Sequence, residues 1–162
     1  MNKLTIDSKA LALLLLRVLI GWHLLYEGLV KLANPSWSSV GFLKASQGPF
    51  SGLFLAIADN ETLLNIADVA NEWGLTIIGL SLILGLFTRV SAYAGMFLLL
   101  TYYLCVPPLV GLEYAAPSEG NYLVVNKTLI ESAALFVFAL FATENYLGLD
   151  ILIKRKQGRR MS

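Results

Sequence analysis

Residues 10–32 read ALALLLLRVLIGWHLLYEGLVKL, an apolar stretch that is long enough to cross a bilayer but is interrupted by four ionisable side chains. An α-helix needs about 20 apolar residues to span roughly 30 Å of hydrocarbon. The interruptions are Arg17, His23, Glu27 and Lys31. An ionisable side chain in this layer costs several kcal/mol unless it is paired or hydrated, so these residues are candidates for function.

Three of these residues follow one another at a helical spacing. His23, Glu27 and Lys31 stand at positions i, i+4 and i+8, so they share one face of the predicted helix. An imidazole, a carboxylate and an amine are side chains that hold and transfer protons. The alternative for His23 is a hydrogen bond that joins two helices, and the sequence leaves both roles open.

The composition is that of an integral membrane protein. The chain has 162 residues, of which 57% are hydrophobic and 14% charged, with a mean hydropathy of +0.68. Soluble domains have about 45–50% apolar and about 25% charged residues. We expect one domain over residues 1–162, and a first span that is retained rather than removed as a signal peptide, because Arg17 interrupts it and no small-residue cleavage site follows.

Hydropathy predicts four spans, at residues 10–32, 66–88, 90–106 and 124–146. The uncharged part of the second, WGLTIIGLSLILGLF, would be only about 22 Å long as a helix. We therefore expect this helix to begin near Ile66, which draws Asp68, Asn71 and Glu72 towards the membrane. Residues 50–58 are too few to cross, so they predict a short interfacial helix. The predicted fold is an all-α membrane protein: a four-transmembrane-helix bundle with a short interfacial helical segment between spans one and two.

The basic residues predict the orientation of the bundle. Lys3, Lys9, Arg89 and the basic tail at residues 154–162 fall on one side, whereas the connections on the other side contain Lys44 alone. The positive-inside rule then gives a multi-pass protein of a bacterial-type cytoplasmic (inner) membrane with both termini cytoplasmic. A basic tail beside a span is a topology anchor in contact with the lipid bilayer, so we expect no nucleic-acid partner.

In this topology, charged residues of three helices converge in the outer half of the bundle, with Arg17 deeper. One interpretation is a hydrated site for a ligand or for protons, and the other is a network of ion pairs that only fixes helix packing. Aromatic residues nearby suit either an interfacial belt or stacking on a ligand, and Asn126 suits a helix cap or the site. The converging and neighbouring residues are Glu27, Lys31, Glu72, Lys127, Glu131, Trp22, Tyr26, Trp73 and Asn126.

Metal and haem chemistry have little support in the sequence. The chain contains one cysteine, Cys105, and one histidine. A zinc site, an iron–sulfur cluster or a bis-histidine haem needs more ligands of these types than one chain supplies. We find no metal, haem or flavin motif, and we favour Cys105 as a small core residue.

Three motifs carry a family resemblance: RVLIGWHLLYEGLVKL at residues 17–32, LILGLFTRVSAYAG at 82–95 and EGNYLVVNKTLIE at 119–131. The chain resembles the DoxX family of small four-span membrane proteins over residues 14–153, and is closer to its DoxD branch, the membrane subunit of thiosulfate:quinone oxidoreductase. The motif residues of the family map onto Arg17, Gly21, Lys31 and Glu131.

The resemblance implies a membrane subunit of a quinone-linked redox system, with a sulfur compound such as thiosulfate as donor and a redox partner subunit. Joined to the residue pattern, it gives His23, Glu27, Lys31 and Glu131 catalytic roles in proton delivery. The expected quinone-binding residues are Arg17, Trp22, Tyr26, Glu72, Trp73, Asn126 and Lys127. The alternatives are a non-catalytic anchor or scaffold of a redox or stress-response complex, and a small proton-coupled transporter. A homo-oligomer is left open.

Overall fold

The computed structural model of the chain describes residues 8–109, 123–141 and 148–149. These residues form helices and connections, and no β-strand is found among them. The helices are α1 (Ser8–Leu32), α2 (Val40–Lys44), α3 (Ser51–Ala58), α4 (Glu61–Leu84), α5 (Thr88–Cys105) and α6 (Lys127–Leu140).

Local signals explain where these helices begin and end. α4 begins at Glu61, five residues before the predicted start, because the Asn60 side chain accepts a hydrogen bond from the Leu63 backbone N–H at 3.1 Å. It ends at Leu84, earlier than predicted, because Gly85 takes the left-handed conformation with φ of 65°. α6 begins at Lys127, where Asn126 accepts from the Leu129 N–H at 2.9 Å. The predicted fourth span runs on into residues 142–146, which lie outside the described residues.

Two of the helices are long and apolar enough to cross a membrane. α1 has 25 residues and α4 has 24, and at 1.5 Å per residue each is roughly 36 Å long. α5 has 18 residues, and α6 has 14. Both stand where the third and fourth spans are predicted, but the count of four spans stays a prediction.

The long helices pack as an antiparallel bundle. α1 packs mainly against α4, α5 packs mainly against α6, and α4 with α5 joins the two pairs. Close approach of α1 and α4 depends on glycine, since a Cβ at Gly79 would lie 2.6 Å from the Gly21 carbonyl oxygen. The shared core is aliphatic and aromatic, and includes Ile20, Leu24, Leu75, Ile78, Leu82, Leu99, Leu135 and Phe138.

The short helices α2 and α3 lie at the end of the bundle where α1 ends and α6 begins, which we call the polar end. They replace the single short helix that the sequence predicts in this connection. Leu43, Phe54 and Ala58 pack against Cys105 at the end of α5. Ser46 Oγ donates to the Cys105 carbonyl at 2.6 Å, which fastens the connection to the bundle.

The outward faces of the long helices are apolar. Large hydrophobic side chains such as Leu19, Ile77 and Phe97 are more than half exposed. A soluble monomer rarely carries so extensive an apolar surface, whereas hydrocarbon solvates it without cost. The exposed faces therefore agree with a chain that lies among lipids.

Candidate functional site

An imidazole–carboxylate pair joins α1 to α6 inside the polar end. Nδ1 of His23 lies 3.1 Å from both carboxylate oxygens of Glu131. The side chains are 32% and 16% exposed respectively, so the pair is partly buried. Because each group can hold or release a proton, and each steadies the charge of the other, the pair is suited to passing a proton across the helix interface.

A second pair lies further along α1, with Glu27 one helical turn and Lys31 two turns beyond His23. Lys31 Nζ donates to a Glu27 carboxylate oxygen at 2.7 Å and lies 5.5 Å from the centre of the Trp37 ring. Lys31 is 15% exposed, whereas Glu27 is 47% exposed. The ammonium group is therefore held between a carboxylate and an aromatic face, while the carboxylate keeps access to its surroundings.

Electrostatic interactions connect these pairs into one group. Glu27 interacts with His23 and Lys127 as well as with Lys31. The cost of exposing charge to hydrocarbon predicts that Lys127 faces the bundle interior, but Lys127 is exposed at the start of α6. We call these residues the charged cluster; its members are His23, Glu27, Lys31, Lys127 and Glu131. Three of the five are contributed by successive turns of α1.

Two polar residues that the sequence analysis does not assign to the site lie beside the cluster. The Tyr102 hydroxyl on α5 is directed towards the Asn71 amide on α4, and Tyr102 also interacts electrostatically with Glu27. Tyr102 Oη and Asn71 Oδ1 are both shielded from the surroundings of the bundle. A tyrosine within the apolar third span could have marked Tyr102 as a candidate site residue. No sequence pattern, however, indicates which side of that helix the tyrosine occupies.

The remaining predicted site residues lie elsewhere. Trp22, Tyr26 and Trp73 are each more than half exposed on the outside of the bundle, as residues of an interfacial belt are. Asn126 caps α6. Glu72 is partly buried on α4.

Arg17 has the largest of the fully buried side chains, with 1% exposure. It precedes His23 by six residues on α1, which places it about 9 Å further from the polar end. Its side chain is therefore enclosed in the bundle, deeper than the residues of the charged cluster are placed along α1. Within residues 8–109, 123–141 and 148–149, no three His, Cys, Asp or Glu side chains are grouped as metal ligands.

These observations define a helical membrane protein with proton-carrying side chains gathered at one end of its bundle. The DoxX family model matches residues 12–107, and the chain belongs to the DoxX family. The match covers α1 to α5 and stops before α6, so it includes His23 but not Glu131. No curated protein and no solved structure matches the chain.

Proposed function

We propose that this chain is the membrane subunit of a quinone-linked redox system, and that its charged cluster supplies protons where a quinone is reduced. The observation that carries the proposal is the His23–Glu131 pair, which sets two proton-exchanging groups 3.1 Å apart between α1 and α6. The resemblance to the DoxD branch supplies the class of reaction, with thiosulfate or a similar reduced sulfur compound as electron donor.

The chemistry of this reaction requires a proton source. Coupling of two thiosulfate ions through a new S–S bond gives tetrathionate and two electrons, with no proton released. A quinone takes up these two electrons together with two protons to become a quinol. Both protons must therefore come from water through the protein, and side chains that exchange protons near the quinone oxygen would accelerate the reduction.

The burial gradient within the charged cluster supports such a route. Glu27 is the most accessible of the paired carboxylates, His23 is intermediate, and Glu131 is the most buried of the three. A proton that enters at the exposed carboxylate can reach Glu131 through the imidazole. Lys31 and Lys127 stabilise the carboxylate charge while the relay is deprotonated.

The setting of this activity follows the same proposal. The lipid bilayer is the source of the quinone, the cytoplasmic membrane is its location, and both termini face the cytoplasm. Electrons arrive either from the sulfur donor directly or through a partner subunit. The charged cluster, as far as the described residues show it, consists of side chains that carry protons and not electrons.

The test is a rate measurement in membranes that contain the full chain, with thiosulfate as donor and decyl-ubiquinone as acceptor, followed by quinol absorbance. We expect Glu131→Gln to lower the rate by about a hundredfold or more, the usual contribution of general acid–base catalysis. Glu61→Gln, in the exposed first turn of α4, is the matched control and should retain the wild-type rate. The amount of inserted protein is measured in parallel.

Two results would contradict the proposal. An unchanged rate in Glu131→Gln, together with a lower melting temperature, would assign the pair to helix packing. The second result is that the wild-type chain alone shows no activity, that activity appears only when a catalytic partner is added, and that Glu131→Gln does not change this rate. The chain would then be a scaffold.

A further inference from the structure

The connection that follows α1 is fastened by side chains at both of its ends. We call residues 33–39 the strap. At its first end, the Asn34 side-chain oxygen accepts hydrogen bonds from the Ser36 backbone N–H at 3.2 Å and from the Ser36 hydroxyl at 2.8 Å. At its second end, the buried Ser39 donates both its backbone N–H and its hydroxyl to the Asp68 carboxylate on α4. These two attachments fix the path that the strap takes from α1 to α4.

Between the two attachments, the strap lays Trp37 against the ammonium group of Lys31. The Trp37 N–H donates to the Asn34 carbonyl at 2.9 Å, and the ring centre lies 5.5 Å from Lys31 Nζ. The same ammonium donates to the Glu27 carboxylate at 2.7 Å and to the Glu27 carbonyl at 3.3 Å. The Lys31 side chain is 15% exposed, whereas that of Lys44 is 57% exposed. Trp37 and Glu27 therefore hold Lys31 in one place and shield it from water.

The position of Lys31 matters for proton uptake at Glu27. A carboxylate that is bound to an ammonium group accepts a proton less readily than one whose ammonium partner has moved away. Glu27 also interacts with His23 on α1, with Lys127 on α6 and with Tyr102 on α5. Lys31 interacts with Glu27 more strongly than the others do, and it is the strap that covers Lys31.

We propose that the strap controls the entry of protons at Glu27, and that Trp37 is the positioning residue that keeps Lys31 on the Glu27 carboxylate. This inference rests on the proposed function, in which protons enter the relay at Glu27. While the strap is in place, Lys31 stays on Glu27 and the carboxylate keeps its charge. When the strap lifts, water solvates the ammonium group, and Glu27 takes a proton from water and passes it to His23.

The first test measures the access of a reagent to Lys31 in the full-length protein in detergent micelles. The protein is acetylated with N-acetoxysuccinimide, and mass spectrometry follows Lys31, with Lys44 of the same chain as the reference. We expect Trp37→Leu, which keeps apolar bulk but removes the aromatic face, to raise the Lys31 rate relative to Lys44 about fivefold. Trp37→Phe retains an aromatic face and should stay near the wild-type ratio. Phe50→Leu, at an exposed aromatic residue of the polar end, is the matched control and should leave the ratio unchanged.

The second test asks whether the strap moves as a unit. Asp68 bonds to Ser39 at the far end of the strap, so Asp68→Ala releases this attachment and leaves Trp37 intact. We expect Asp68→Ala to raise the acetylation of Lys31 relative to Lys44 as well. If Trp37→Leu fails to fold, this variant alone decides the matter. An unchanged ratio in Asp68→Ala would show a local contact of Trp37 rather than a strap.

The third test is the pH profile of quinone reduction in the membrane assay described above. We expect the alkaline fall in the rate to occur at higher pH in Trp37→Leu, because a carboxylate that has lost its ammonium partner takes up a proton from more alkaline water. Trp37→Phe and Phe50→Leu should keep the wild-type profile. A structural role of Trp37 would lower the amount of folded protein without moving the profile.

The outcomes separate this inference from the proposed function. If Trp37→Leu leaves the acetylation of Lys31 unchanged, the inference is wrong, whether or not the chain reduces a quinone. If acetylation rises but the pH profile does not move, Trp37 only shields Lys31, and control of proton entry is refuted. If the wild-type protein reduces no quinone, the proposed function fails and control of proton entry fails with it, while the acetylation ratio still decides whether Trp37 positions Lys31.

Discussion

His23 and Glu131 are separated by 108 positions in the sequence, yet Nδ1 of His23 lies 3.1 Å from the Glu131 carboxylate. α1 and α6 have little other contact, since α1 packs chiefly on α4 and α6 chiefly on α5. This imidazole–carboxylate pair therefore links two helices that have their main packing partners elsewhere. The proposed function gives this pair a role in proton exchange, and its place between α1 and α6 gives it a role in helix packing as well.

The strength of this link can be measured with a double-mutant cycle. We expect His23→Gln and Glu131→Gln to show a coupling free energy of about 1 kcal/mol in reversible unfolding, because a partly buried charged hydrogen bond contributes on this scale. Lys44 and Asp59, 3.9 Å apart and well exposed, form the control pair and should show coupling close to zero. Equal coupling in the two cycles would contradict the role given to His23 and Glu131.

The sequence predicts α1 well and the start of α4 poorly, for different physical reasons. α1 coincides with a long apolar stretch that ends just before Asn34–Pro35, and both signals are visible in the sequence. Hydropathy ignores residues 61–65 because they are partly polar, although the Asn60 cap already fixes the helix there. A cap depends on one backbone hydrogen bond, which an average over apolarity cannot register.

Helix rotation limits what can be predicted about the site. The i, i+4, i+8 spacing places His23, Glu27 and Lys31 on one face, but it does not say which helix that face meets. On α4, the charge of Glu72 makes it the predicted site residue, whereas the neighbouring Asn71 is directed towards Tyr102. Successive residues point about 100° apart around a helix, so an error of one position changes the contact completely.

Close packing of α1 and α4 predicts that Gly79 tolerates no side chain. A Cβ at this position would approach the backbone of Leu25 and lie 2.6 Å from the Gly21 carbonyl oxygen, and backbone atoms cannot move aside cheaply. We expect Gly79→Ala to lower the free energy of unfolding by about 1–3 kcal/mol. Gly52→Ala is the control: a Cβ at Gly52 has no atom within 4 Å, so stability should be unchanged or slightly higher. Similar melting temperatures for the two variants would contradict this packing.

The Asp68 carboxylate holds α2 against the polar end. It accepts hydrogen bonds from the Ser39 backbone N–H at 2.8 Å and from the Ser39 hydroxyl at 2.5 Å. We expect Asp68→Ala to release this attachment and to increase proteolytic cleavage within residues 34–50 severalfold. The Asp59→Ala variant should be cleaved at the wild-type rate, since the Asp59 carboxylate is exposed and only weakly paired. An unchanged cleavage pattern in Asp68→Ala would show that apolar packing of α2 suffices.

The orientation of the bundle determines which side of the membrane reaches the charged cluster. The turn between α4 and α5 lies at the opposite end from the cluster, beside Arg89, and the positive-inside rule assigns this end to the cytoplasm. We expect reporters inserted at Gly85 and fused after Ser162 to give cytoplasmic signals, and a reporter inserted at Glu113 to give an external signal. Arg89→Glu should weaken this preference, while Lys44→Glu, on the other side, should strengthen it. An external signal at Gly85 together with a cytoplasmic signal at Glu113 would contradict this orientation. Protons for the charged cluster would then have to come from the cytoplasm.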